Sequence, residues 1–329
     1  MPNRRAYRLL TGVLVALSLV SNASAGKKEK SMLKDKYVKV NGVRLHYVTA
    51  GKGPLILFLH GFPEFWYEWK NQLIEFGKDH QAVAPDMRGY NLSDKPTDLD
   101  QYKMASLVED IRGLADHLSH GKKFVLVAHD WGGAVAWSFA IAHPDYLSKL
   151  VIINAPHPGV FAKLLSSDPA QQKASQYMLM FRGENAEKTL SANDYAGLVG
   201  AVLGAGLKTG TFTEADKQEY IKAWSQPGAL TGGLNYYRAN HVGPPAPAKE
   251  GDPKSASTGN FALDPTKLTV KVPTLVIWGE KDTALLTQNL DGLDQFVPQL
   301  TIKRIPDGSH WVIHEKAAEV NADIREFIQ

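Results

Sequence analysis

The sequence contains no cysteine. Thiol nucleophiles, thiolate metal sites and disulfides are therefore excluded. No apolar run approaches the ~20 residues of a membrane-spanning helix; the stretch from Leu9 to Val20 has 12. The chain also lacks an excess of one charge. Its formal +3 comes from 37 basic against 34 acidic residues, and Arg4, Arg5 and Arg8 fall in the first 25, which hold no acid. The remainder balances at 34 against 34, so the basic isoelectric point gives no support for a nucleic-acid partner.

The first 25 residues combine those arginines, the short apolar core and the small-x-small run Ala23-Ser24-Ala25. This pattern predicts a cleaved secretory signal peptide over 1–25 and a mature chain without an integral membrane span. An uncleaved N-terminal anchor is the alternative. Export without disulfides suits a bacterial periplasmic or secreted protein. Residues 26–36, rich in lysine, read as a flexible polar segment.

From residue 37 the pattern becomes regular. Two alternating runs flank Asn41-Gly42, a strong hairpin signal. Apolar strands are expected at 55–59, 81–85, 124–127 and 150–153, alternating with helices at 66–77 and 104–118. That alternation predicts a mostly parallel sheet with helices on both faces. From 155 to 262 the strand signal stops, and a helical insertion rich in Gly, Ser and Tyr takes over. Strands return at 273–279 and 301–305, and a helix over 316–328 closes the chain. The expected organisation is a core over 37–154 and 263–329, interrupted by a helical cap over 155–262.

In parallel sheets, ligands sit at the carboxyl ends of the strands. There the sequence places His60-Gly61-Phe62-Pro63, His129-Asp130-Trp131-Gly132-Gly133, Gly279-Glu280-Lys281-Asp282 and Gly308-Ser309-His310. Asp130 stands between an apolar strand and a helix, with small residues around it, where a nucleophile elbow would carry Ser. The helix N-terminus favours an anion at that point. Taken alone, Asp130 could equally cap the helix. The order Asp130, Asp282, His310, each after an expected strand, is that of a hydrolase triad on such a sheet: nucleophile, acid, histidine. His314 is the rival base, and Glu280 the rival acid.

These motifs resemble the α/β-hydrolase fold epoxide hydrolases from about Tyr37 to Ile328. The likeness rests on His-Gly-Phe-Pro-Glu at 60–64 and Asp-Met-Arg-Gly-Tyr at 86–90. It continues through His-Asp-Trp-Gly-Gly at 129–133, Trp-Gly-Glu-Lys-Asp at 278–282 and Gly-Ser-His-Trp at 308–311. Ala128 and Asn91 stand where that family usually has glycine. The resemblance implies an α/β-hydrolase fold with a cap, and conversion of a small hydrophobic epoxide plus water to a vicinal diol. By that resemblance no metal or organic cofactor would be needed. Asp130 would form an alkyl–enzyme ester, and His310 with Asp282 would activate the hydrolytic water. The backbone N–H groups of Phe62 and Trp131 would form an oxyanion hole, supported by His60 and Pro63, with a candidate cis bond at Phe62–Pro63. His129 would buttress the elbow. Tyr177 and Tyr237 would activate the epoxide oxygen, although a shift of one residue would exchange Tyr236 for Tyr237.

Two other readings use the same residues. A haloalkane dehalogenase shares the triad and needs halide donors, a role open to the Trp131 indole. The apolar Phe62 and the lid tyrosines speak against it. A non-catalytic binder of small ligands would not need Asp130, Asp282 and His310 together.

Overall fold

The computed structural model describes residues 32–245 and 267–329. The leader 1–25 and the stretch 246–266, with the expected end of the cap, lie outside the described residues. Among the described residues no helix is long and apolar enough to cross a membrane.

An eight-stranded sheet forms the centre, in the order β1-β2-β4-β3-β5-β6-β7-β8. The strands are β1 Lys34–Val40, β2 Val43–Ala50, β3 Leu55–Leu59, β4 Gln81–Pro85, β5 Phe124–His129, β6 Leu147–Ile153, β7 Thr274–Gly279 and β8 Leu300–Ile305. The hairpin β1–β2 turns on Asn41 and Gly42, both at positive φ, as a tight two-residue turn between twisted strands requires. β2 pairs antiparallel with β4, and every later pairing is parallel. β1 already begins at Lys34, so the last residues of the segment expected to be flexible belong to the sheet. Their exposed lysines look polar because β1 is an edge strand.

Period-two alternation assigns the two faces. Ile56, Phe58, Val127, Val151 and Ile277 point to one side, where they bury helices α1 (Lys70–Phe76) and, at the chain end, α12 (Ala317–Ile328). Leu57, Leu59, Leu126 and Ile152 point to the other, against α2 (Met104–Ser119) and α3 (Asp130–Ala142). Burial of one such Leu or Phe contributes about 1.5–3 kcal/mol. The helix expected over 66–77 is split: Trp66–Trp69 forms a 3-10 turn before α1 starts. The closing helix, expected over 316–328, is the single helix α12, and a separate short helix α11 (Val312–Glu315) precedes it.

The lid between β6 and β7 consists of α4 (Pro158–Ser167), α5 (Pro169–Ala174), α6 (Tyr177–Arg182), α7 (Ala186–Leu198), α8 (Gly204–Thr209), α9 (Glu214–Trp224) and α10 (Ala229–Ala239). Buried hydrogen bonds stitch it to the core. The Tyr220 hydroxyl donates to Glu64 Oε2 at 2.6 Å, Trp224 Nε1 to the Pro63 carbonyl at 2.6 Å and the Tyr236 hydroxyl to the Arg88 carbonyl at 2.8 Å. Gly232 on α10 lies so close to the core loop that an added Cβ would stand 2.2 Å from the Gly89 carbonyl oxygen.

Candidate active site

The carboxyl ends of β3, β5, β6, β7 and β8 converge beneath the lid. Asp130 occupies the turn between β5 and α3 with φ of 47°, a left-handed conformation costing a non-glycine residue about 1–3 kcal/mol. The turn lifts the carboxylate off the sheet edge. Gly61 permits this, since an added Cβ would lie 2.3 Å from Asp130 Cβ and Oδ1. The Phe62 backbone N–H donates to Asp130 Oδ1 at 2.8 Å. The Trp131 N–H belongs to the first turn of α3, whose donors have no partner within the helix. The Phe62–Pro63 peptide is cis. His60 is buried; its Nε2 accepts from the Met87 N–H at 3.0 Å and its Nδ1 donates to the Gly61 carbonyl at 2.9 Å, which ties the loop down.

His310 follows β8. Its Nδ1 donates to Asp282 Oδ2 at 2.7 Å, and its Nε2 stands 3.8 Å from Asp130 Oδ2. Asp282 follows β7 and is fixed from every side. Its Oδ1 accepts from the Ala284 and Leu285 N–H groups, and its Oδ2 from Asn154 Nδ2 at 2.8 Å. Burial opposes the charged form of Asp282, but the His310 charge and these hydrogen bonds outweigh it and hold its carboxyl below the usual range. Burial likewise opposes the imidazolium of His310. The charges of Asp282 and then Asp130 prevail and lift it to about 9.

The lid supplies two phenols. Tyr177 opens α6 and Tyr237 lies in the last turn of α10. Burial raises both hydroxyls well above 10, the Asp130 charge raises both further, and Asp282 adds to it at Tyr177. Both phenols therefore remain protonated donors at neutral pH. Phe181 stands between them, its ring centroid 5.2 Å from that of Tyr177 and 5.1 Å from that of Tyr237. Tyr236 is committed to the Arg88 carbonyl, whereas Tyr237 lines a cavity with Asp130 and Trp131. That cavity encloses about 530 Å³ of non-atom space, mouth included, between α3 and the lid. Ala134, Phe161, Met178 and Leu285 make the rest of its wall largely apolar.

The rival residues point elsewhere. Glu280 Oε1 accepts from Arg304 near the surface, and His314 Nε2 bonds Glu64 Oε1 at 3.1 Å. His129, expected to buttress the elbow, also reaches the base: its Nε2 donates to the His310 carbonyl at 3.0 Å, and Glu68 Oε1 lies 2.5 Å from its Nδ1. Sequence reasoning misses Asn154, Glu64 and Glu68. A polar residue directly after the apolar strand β6, and acids inside an aromatic run, are the available signals. Glu64, Glu68 and His314 are the group among the described residues that could hold a metal ion, with ligand atoms within 4.8 Å of one another. All but Glu68 Oε2 already have partners in one another or in Tyr220 and His129.

Residues 54–317 match the model of the alpha/beta hydrolase fold family. The chain is 40% identical over 303 residues to the AB hydrolase superfamily protein YfhM of Bacillus subtilis, covering 90% of this chain and 98% of that one. It is 37% identical over 303 residues to epoxide hydrolase 4 of Mus musculus, covering 89% and 78%. Among solved structures, a variant of an epoxide hydrolase from Bacillus megaterium, complexed with its product, a naphthyloxy-propane-1,2-diol, superposes with a TM-score of 0.80. The two are 37% identical, over 89% of this chain and 99% of that one. The chain belongs to the α/β-hydrolase fold epoxide hydrolase family.

Proposed function

We propose that the chain hydrolyses apolar epoxides to vicinal diols through a covalent ester on Asp130. The observation that carries this reading is a carboxylate with two groups of opposite purpose around it, a water-activating imidazole at 3.8 Å and two protonated lid phenols that feel its charge, of which Tyr237 lines the same cavity. A dehalogenase expelling halide has no need of the phenols.

In the resting site Asp130 is the anion and His310 the imidazolium. Asp130 Oδ1, which holds the Phe62 N–H, remains the carbonyl oxygen, and Oδ2 attacks an epoxide carbon. The carbon–oxygen bond of the ring breaks and its electron pair goes to the oxygen. An alkoxide is a poor leaving group in neutral water, and Tyr177 and Tyr237 donate hydrogen bonds as its charge develops. Alkylation removes the Asp130 charge, so His310 loses one of the two anions that kept it protonated. The proton it gives up balances the one the alkoxide gains. Neutral His310 then takes a proton from water, whose oxygen attacks the ester carbonyl carbon. Negative charge grows on Oδ1, within reach of the Phe62 and Trp131 N–H groups. Collapse expels the diol oxygen, which takes the remaining proton of the added water. The carboxylate and imidazolium are restored.

The test supplies styrene oxide and 1-bromobutane separately and measures diol and bromide. Diol from the epoxide, with an ester that accumulates on Asp130 in His310→Gln, is the expected result. Bromide without diol overturns the assignment in favour of the dehalogenase, for which the Trp131 indole would be the halide donor.

A further inference from the structure

Glu68 is a fully buried acid in the 3-10 turn after the oxyanion loop. Neither alkylation nor ester hydrolysis, as proposed, makes use of it. Its Oε1 lies 2.5 Å from His129 Nδ1, and His129 Nε2 lies 3.0 Å from the backbone oxygen of His310. A carbonyl only accepts, so Nε2 carries a hydrogen. Two lone pairs at 2.5 Å would repel, so one proton must lie between Nδ1 and Oε1.

The neighbours decide which atom holds that proton. The His129 and His310 ring centroids are 4.6 Å apart, and a cation at His129 would face the His310 imidazolium inside a buried site. Glu68 Oε2 has no hydrogen-bond partner. Ionisation would leave a charged oxygen buried and unsatisfied, which costs far more than leaving a neutral carbonyl oxygen there. The other titratable groups around the pair include Glu64, His314, Asp130, His60 and Tyr220. Burial and then the Glu64 charge push the Glu68 carboxyl well up, while burial and then the His310 charge press His129 down to about 3.

We propose that Glu68 is a neutral acid whose O–H bonds His129 Nδ1, and that this pair, through the His310 carbonyl, positions the imidazole that activates water. His310 is thus held at both ends, its ring by Asp282 and its backbone by His129. Glu68 is a positioning residue and touches no substrate. The inference rests on the reading of His310 as the base for ester hydrolysis.

The test compares Glu68→Gln with Glu68→Leu. Gln keeps an N–H donor toward His129; Leu keeps the volume and removes the donor. In single-turnover reactions Glu68→Gln retains ester hydrolysis within about threefold. Glu68→Leu slows it by about tenfold to a hundredfold, with alkylation unchanged, because the base loses its alignment. Independently of turnover, the wild-type-minus-Gln difference infrared spectrum contains the carbonyl stretch of a protonated carboxyl. Leu as fast as wild type, or Gln as slow as Leu, overturns the positioning role. Absence of the carboxyl band overturns the proton assignment, even where Glu68→Leu fails to fold. Failure of wild type to form any alkyl–enzyme ester counts against the functional reading instead and leaves the infrared result standing.

Discussion

If alkylation of Asp130 converts His310 from imidazolium to base, a neutral side chain at 130 should do the same in the resting enzyme. Asp130→Asn provides that perturbation, since the amide resembles the ester in charge and shape. The imidazole Nε2 and the carboxylate Oδ2 are 3.8 Å apart. At an effective dielectric constant of about 20, removing the carboxylate withdraws about 4 kcal/mol from the imidazolium, an upper limit of about 3 pH units. Asp282 outranks Asp130 among the groups that raise His310, so the expected fall is smaller, about 1–2 units from its value of about 9. The assay tracks the His310 imidazole resonance against pH in both proteins, assigned by its loss in His310→Gln. An unchanged or higher titration point in Asp130→Asn would refute the switch, and with it the account of where the alkoxide proton comes from.

Other perturbations separate chemistry from stability. Tyr237→Phe should slow alkylation and spare ester hydrolysis in single turnovers. Tyr236→Phe should leave alkylation intact but cost about 0.5–1.5 kcal/mol in urea denaturation, through loss of its buried bond to the Arg88 carbonyl. Asn154→Ala should destabilise by about 2–4 kcal/mol, because it orphans the Gly279 N–H and places Ala at positive φ; ester hydrolysis should slow with it. His310 has a folded-state pKa of about 9, above its ordinary value of 6.5. The stability it contributes is complete below the ordinary value and is lost as pH rises through about 9, by up to about 3 kcal/mol. Thermal melts should therefore drop between about pH 7 and pH 10 in wild type, and drop less in His310→Gln.

The sheet and the order of its loops are legible because period-two alternation and strand-terminal motifs are local signals. Asp130, Asp282 and His310 each follow an apolar strand, and parallel strands bring such ends together. The hidden part depends on how elements dock. Tyr236 and Tyr237 are neighbours on one helix, pointing about 100° apart, and only the seating of α10 on Gly89 decides which one meets the cavity. Glu68 sits among Phe65, Trp66, Tyr67 and Trp69, where an acid reads as the solvent-facing residue of an amphipathic turn. Its burial results from β4 and α11 packing on its turn and from His129 at the end of β5. Asn154 looks in sequence like no more than the end of a strand. Its side chain acts on Asp282, a residue far along the chain that tertiary pairing places beside it.

The stitched lid has a consequence for how such a site can be rebuilt. Among the core groups that receive the lid, those bonded to α9 and α10 beside Tyr237 include Glu64, Pro63 and the Arg88 carbonyl. Glu64 and Pro63 belong to the segment that carries the Phe62 donor, and Arg88 belongs to the loop that His60 ties to it through Met87. The height of Tyr237 over Asp130 is therefore inherited jointly from two stretches of chain. A lid transplanted from another member of the family would bring its phenols but not their spacing, unless residues 60–68 and 86–90 travelled with it. Lid and oxyanion loop form a single unit of exchange, even though three strands separate them along the chain.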